Sequence, residues 1–303
     1  INNSGQVIGN ASTATGETHV FITGPNGVDL SDLGTFGKES VFVQGMNYSG
    51  QIVGFSIVDS NFNFLAFRTG PNGVGITDMP TTLGGIQSVA NAINDSGRVV
   101  GAQEFDRSQL ASRAYITDSN GSGMIDLGTL GGATSSAFDI NDSGQVVGRA
   151  DAMDGDSHPF VTGPDGIGMM DLGTLGGSFG FATDINNGGE VVGFAGIANN
   201  EATHAFLFSH GGITDLSLLD VVISEGWTNI TARDINNHGQ IVGFGTNAEG
   251  NQEAFLLSYT PDTLFNPQPI YIPPVPEPGS YLMLLAGLGL LGFVTLRRKE
   301  MEA

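Results

Sequence analysis

The sequence runs to 303 residues, with 10 Lys and Arg against 31 Asp and Glu and a formal charge of −21. A surface this poor in cations cannot neutralise phosphates, which excludes nucleic acid as a partner, and it repels anionic polymers unless cations bridge them. Cysteine is absent, excluding disulfides and thiolate metal sites, while 47 glycines and 12 prolines call for tight turns rather than helices.

The chain opens on INNSGQVIGN, inside a repeat and without an initiator Met, which reads as a fragment or a processed form. The segment INDSGQVVG then recurs as Ile1–Gly9, Met46–Gly54, Ile93–Gly101, Ile140–Gly148, Ile185–Gly193 and Ile235–Gly243. Self-similarity at a period of about 46 residues means a solenoid, a propeller or an array. Each repeat carries four phrases. QVVGxx comes first, as at Gln145–Ala150. An aromatic phrase follows: HVFITG, LAFRTG, RAYITD, HPFVTG, HAFLFS and EAFLLS. The third is DLGTLGG, within Ile125–Gly132 and Met170–Gly177 and degraded at Asp32–Lys38. The fourth is an alternating SxAxDIN, clearest at Ser136–Asn141 and Phe181–Asn186.

These short runs of Val, Ile, Phe and Thr between Gly, Asn and Asp read as strands. No segment with helical periodicity occurs before residue 270. In N-x-S-G the Asn bonds its own backbone two residues on, and the Gly accepts the positive φ that closes a hairpin. Gly70–Val74 and Gly163–Ile167 place Pro and Gly as a β-turn wants them. Four strands in about 46 residues is one propeller blade, whereas a β-solenoid needs shorter rungs. The expected fold is therefore all-β, a β-propeller of about six four-stranded blades over residues 1–260. The phrases count to 22 strands. One DLGTLGG and one SxAxDIN ahead of Ile1 would complete six blades, the last joining Gln240–Thr246 and Glu253–Tyr259 to that upstream segment.

Residues 261–275 read as a proline-rich, semi-rigid linker. In 276–303, Pro276, Glu277 and Pro278 hold an extended backbone suited to a processing enzyme. Tyr281–Leu296 is uncharged and, as a helix, ~24 Å long, or about 27 Å with Gly279 and Ser280, a little under the ~30 Å hydrocarbon core. Its GLGLLG fits the G-x-G-x-x-G dinucleotide pattern, but no strand precedes it and no acidic residue follows at the ribose distance. The segment reads instead as one transmembrane helix. Arg297, Arg298 and Lys299 stay cytoplasmic and stop transfer, leaving the repeats outside.

The repeat phrases, with His204–Phe206 and DLGTLGG twice, resemble the HAF-repeat family of bacterial extracellular proteins. The ordered tail of Pro276-Glu277-Pro278, apolar span and basic cluster is similar to a PEP-CTERM sorting signal. The resemblance implies export from a Gram-negative cell, an inner-membrane-anchored precursor, handling by an exosortase, and a final place at the cell surface or outside it. It supplies no biochemical activity.

Candidate chemistry is sparse. His19, His158 and His204 each open an aromatic phrase and are expected at equivalent strand starts in different blades, where they cannot converge on a metal. Asp151, Asp154 and Asp156 suggest a weak calcium loop, but the twelve-residue pattern with its terminal Glu is missing, and an acidic solvated hairpin is preferred. Asp126, Asp171 and Asp215, and Asp139, Asp184 and Asp234, read as paired by repetition rather than by catalytic geometry. Trp227 is expected in the core rather than as a sugar-stacking platform, and the N-x-S triplets are turns rather than glycosylation acceptors. No cofactor is expected. The functional expectation is a non-enzymatic surface or biofilm-matrix protein with exopolysaccharide as a candidate ligand. The alternative is a glycosidase or lyase with its site at the propeller mouth.

Overall fold

The computed structural model describes residues 1–258 apart from 39, 59–62, 80, 82 and 106–110, together with the backbone of 270–272. The sorting motif, the apolar span and the basic cluster lie outside the described residues. No helix among the described residues is long and apolar enough to cross a membrane.

Among the described residues, 23 strands form six antiparallel sheets in chain order. The first holds β1 (Ile8–Ser12), β2 (Thr18–Ile22) and β3 (Ser31–Gly34). The second holds β4 (Ser40–Met46), β5 (Ile52–Ile57), β6 (Phe64–Arg68) and β7 (Thr77–Asp78). The third holds β8 (Gln87–Ile93), β9 (Val99–Glu104), β10 (Ser112–Ile116) and β11 (Ile125–Asp126). The fourth holds β12 (Gly131–Ile140), β13 (Val146–Ala152), β14 (Ser157–Thr162) and β15 (Met169–Asp171). The fifth holds β16 (Gly176–Ile185), β17 (Val191–Ile197), β18 (Thr203–Ser209) and β19 (Gly212–Asp215). The sixth holds β20 (Thr228–Ile235), β21 (Gln240–Thr246), β22 (Gln252–Ser258) and β23 (Ile270–Ile272). A single parallel bridge, Ser157 to Phe179, links the fourth sheet to the fifth.

The third, fourth and fifth sheets run in the order SxAxDIN, QVVG, aromatic phrase, DLG or its equivalent, while Thr77–Asp78 and Ile270–Ile272 take the outer place in the second and sixth. The DLG phrase contributes only a short outer strand, such as Ile125–Asp126, before turning.

Two expectations are corrected here. Ile270–Ile272 falls within the stretch read as linker, yet it pairs with β22 through Leu256–Ile272 and Leu257–Tyr271. Ile-Tyr-Ile suits an edge strand, and the surrounding prolines masked it. This strand takes the place assigned to an upstream DLGTLGG. A helix also exists: α1 (Asp220–Ser224) is one short turn that sets Val222 into the core beside Trp227. Five residues are too few to leave a periodic signature.

The QVVG phrase explains how the sheets stack. Its two apolar residues point to opposite faces, as alternation in a strand requires. Val146 packs back against the third sheet and Val147 forward against the fifth. Five apolar clusters fill the five junctions between consecutive sheets, each fully buried Val or Phe contributing ~1.5–3 kcal/mol. Val53, Val100, Val147 and Val192 are fully buried, whereas the equivalent Val242 of the sixth sheet is 42% exposed. The face of the sixth sheet turned away from the fifth is thus open, and the first sheet has three strands, with β1 at its inner edge.

The phrase's glycine has a steric cause. The inner strand of each of the second to sixth sheets carries a bulge at one position, between Val43 and Gly45, Ala90 and Ala92, Ala137 and Asp139, Ala182 and Asp184, and Ala232 and Asp234. The bulge drives a carbonyl oxygen toward the next strand. A Cβ on Gly148 would collide with the Ser136 oxygen, and one on Gly54, Gly101, Gly193 or Gly243 would meet the equivalent oxygen.

Candidate functional site

The inner strands surround an axial channel. At the hairpin end the N-x-S-G turns form a cavity of about 440 Å³ lined by Asn and Asp from all six repeats. Each turn is built from its Asn. Asn141 Oδ1 accepts from Gln145 N at 3.0 Å and from Ser143 Oγ at 2.8 Å, an Asx turn that leaves the amide nitrogen free to reach outward.

That nitrogen staples the repeats together. Nδ2 of Asn2 donates to Asn47 O, Asn47 to Asn94 O, Asn94 to Asn141 O, Asn141 to Asn186 O and Asn186 to Asn236 O, all at 3.0–3.2 Å. A second tier runs beside it, with the backbone N–H of Asp95, Asp142 and Asn187 donating to the side chains of Asp142, Asn187 and Asn237.

A second cavity of about 290 Å³ is lined by Gln44, Asn91, Phe138, Asp139, Thr183, Asp184, Arg233 and Asp234, among others. Here the reading of Asp139, Asp184 and Asp234 as merely repeated is corrected. Equivalent positions of consecutive blades meet about one axis, so repetition is what brings them together. Asp184 lies beside both Asp139 and Asp234, near enough for each carboxyl to alter its neighbour's proton affinity. Each also ties its blade to the next: Asp139 Oδ2 accepts from Ile185 N at 3.1 Å and Asp184 Oδ2 from Ile235 N at 2.5 Å.

Burial raises the Asp139 carboxyl above its ordinary range. It raises Asp184 well above that range, and the neighbouring Asp139 carboxylate adds to the rise. Asp234 is pushed up to about 6, by desolvation first and then by Asp184, although it stays more than a third exposed. Arg233 lines this cavity beside the three carboxyls, and its guanidinium, like that of Arg149, rests on aromatic rings. Arg233 lies 5.4 Å over Phe194 and 5.0 Å over Phe244, and Arg149 lies 5.5 Å over Phe181.

The histidines do sit at equivalent strand starts in different sheets, each with a partner that sequence reading missed. Nδ1 of His19, His158 and His204 bonds Asp32, Asp171 and Asp215 at 2.9, 2.8 and 2.7 Å. In the third sheet the pair is Arg113 with Asp126 at 3.7 Å. The signal lay in the repeats themselves: where the aromatic phrase opens with a cation, the following DLG supplies the acid. In the second sheet that phrase opens with Leu65, and Asp78 pairs instead with Lys38 at 2.7 Å. The Asp32 hydrogen bond raises His19 and, in return, holds Asp32 low.

Two further candidates are placed. Trp227 is 8% exposed and packs edge-on against Phe255 at 6.2 Å, in the core. Asp151 is turned away from the proposed calcium loop, its Oδ2 accepting from Thr134 N and Oγ1 at 3.1 and 2.7 Å. Asp154 and Asp156 converge with His158 instead.

Radial sheets about a channel define the class as all-β and propeller-like, and known structures agree. The β-propeller domain of the Trilobed protease from Pyrococcus furiosus aligns with TM-score 0.57 at 8% identity, over 88% of this chain and 81% of that one. The acylaminoacyl peptidase of Pyrococcus horikoshii gives 0.56 at 10% identity over 84% of this chain, which spans 43% of the peptidase's length. A putative TolB from Agrobacterium tumefaciens gives 0.51 at 13%, over 84% and 91%. At such identities the likeness is one of fold. Residues 274–299 match the PEP-CTERM protein-sorting motif, the signal of an exported protein handled by an exosortase. No curated protein matches the chain.

Proposed function

We propose that this is an exported, non-enzymatic repeat protein of the HAF type, sorted through Pro276-Glu277-Pro278 and serving the cell surface or biofilm matrix by binding exopolysaccharide. The match of residues 274–299 to a sorting motif carries the export and sorting part of the reading. The site's chemistry supports it, because Asp139 and Asp184 are engaged by backbone amides of the next blade and so act as joints. The repeated mouth offers several weak contacts whose affinity grows by multivalency. The precursor spans the inner membrane through Tyr281–Leu296, with Arg297, Arg298 and Lys299 inside, and is cut near Pro276–Ser280. Intact mass of surface-released protein checks the last point: material that keeps Arg297–Lys299 in cells with a working exosortase refutes cleavage.

One observation favours a carbohydrate-active enzyme as the second reading: carboxyl groups with raised proton affinity share a cavity of about 290 Å³. A glycosidase needs two carboxyls ~5–10 Å apart and free to reach the substrate, while Asp139 and Asp184 each hold a backbone N–H of the next blade, Ile185 N and Ile235 N. The test is to present the purified ectodomain with the producing cell's exopolysaccharide, with and without calcium, and to read retention and chain length. Retention without shortening is expected. Shortened polymer would replace this reading with the enzyme, and neither would leave a purely structural role.

A further inference from the structure

We propose that the β13–β14 hairpin holds a divalent transition-metal ion, zinc by preference, on Asp154, Asp156 and the Nε2 of His158. The three side chains offer ligand atoms within 4.8 Å of one another, the one such group among the described residues. A tetrahedral zinc ion with bonds of ~2.0–2.2 Å to N and O needs its ligands about an ångström closer. Rotation of two Asp side chains at a hairpin tip supplies that.

The imidazole is set for coordination independently of the two carboxylates. His158 Nδ1 is held by Asp171 on the neighbouring strand at 2.8 Å, and Asp171 Oδ1 is itself fixed by Gly173 N at 2.7 Å. With Nδ1 engaged, Nε2 is the nitrogen left to bind. A carboxylate behind a ligating histidine sets its tautomer and ring orientation, the usual outer shell of a zinc site. The repeats provide an internal control. His19 and His204 have the same Nδ1 partner, but Nε2 of His19 has one carboxylate near it, Glu17 at 3.7 Å. The residue two before His204 is Ala202. The two-carboxylate arrangement belongs to the fourth sheet alone among these.

The donor set also selects the metal. Calcium takes six to eight oxygens, and the third carboxylate it would want, Asp151, is committed to Thr134. One imidazole with two carboxylates suits zinc and its neighbours in the first transition row. Three protein ligands leave a fourth position open for a solvent or ligand oxygen.

The experiment is a titration of the full chain in detergent with zinc chloride and, separately, calcium chloride. It is followed by calorimetry and by the histidine ring-nitrogen signals in long-range ¹⁵N NMR. One zinc per chain is expected, with the ring nitrogens of His158 moving and those of His204 staying still. His158→Gln is expected to weaken binding at least tenfold, and Asp171→Asn roughly tenfold, while His204→Gln leaves it unchanged. Asp156→Asn, at a half-exposed position, guards against a folding defect in the histidine variant. Zinc uptake undiminished in His158→Gln and Asp156→Asn, calcium bound more tightly than zinc, or no zinc bound at millimolar concentration would each overturn the proposal.

Discussion

Replacing Asp234 by Asn should make the protein more stable at neutral pH, because the row of axial carboxylates works against the fold once ionised. Asp234 is lifted from 3.8 to about 6, by desolvation and then by Asp184. A raised carboxyl means that the folded state binds more protons than the unfolded one between those values, so stability falls as pH rises through that window. One pKa unit corresponds to ~1.4 kcal/mol, which caps the penalty at about 3 kcal/mol. The group is more than a third exposed, and solvent screening brings the expected effect to ~1 kcal/mol, or about 2–4 °C in melting temperature for a domain this size. The assay is urea unfolding of both proteins from pH 4 to 8. The difference should be near zero at pH 4, grow between pH 4 and 6, and level off at ~1 kcal/mol in favour of Asp234→Asn. A variant less stable at pH 7, or a difference that does not change with pH, would refute the reasoning.

Three other outcomes follow from the repeat geometry. Gly148→Ala should cost about 3 kcal/mol, because the added Cβ meets the bulged Ser136 carbonyl, while Gly212→Ala, in open space, should fall within ~0.5 kcal/mol of the parent in denaturant melts. Asn141→Asp keeps the turn's acceptor but sets a carboxylate against Asn186 O and Gln145 Oε1, the two oxygens its Nδ2 now serves at 3.0 and 2.9 Å. A loss of ~2–3 kcal/mol is expected, and an unchanged unfolding midpoint would deny the stapling role. By NMR titration His19 should protonate above its ordinary 6.5, and Asp32→Asn should bring it back down. Its contribution to stability is present below pH 6.5 and lost as pH rises through the raised value. A His19 titration indifferent to residue 32 would disprove the pairing.

Much of the fold was legible in the chain because its determinants are local. Asn at the head of N-x-S-G accepts from backbone a few residues on, and Gly144 takes φ of +78°, so the turns need nothing distant. Two-residue alternation in QVVG marks strands with two buried faces, and the 45-to-50-residue recurrence sets the blade size. Segments without a repeat signature escaped: Ile270–Ile272 looked like spacer, and the short turn Asp220–Ser224 left no periodicity.

The tertiary structure alone decided what the repeats do to one another. Asn94 and Asn141 are 47 residues apart in the chain and within hydrogen-bond reach across a blade junction. Asp139, Asp184 and Asp234 look independent until rotation about an axis gathers them into one cavity. The same holds on the rim, where Asp151 of an apparent three-carboxylate loop turns to Thr134 and His158 joins Asp154 and Asp156 instead. Strands and turns are written in contacts a few residues long, which sequence displays directly. Sites are written in the angle between blades and in which side of a pleat a side chain leaves, and neither exists until the sheets have stacked.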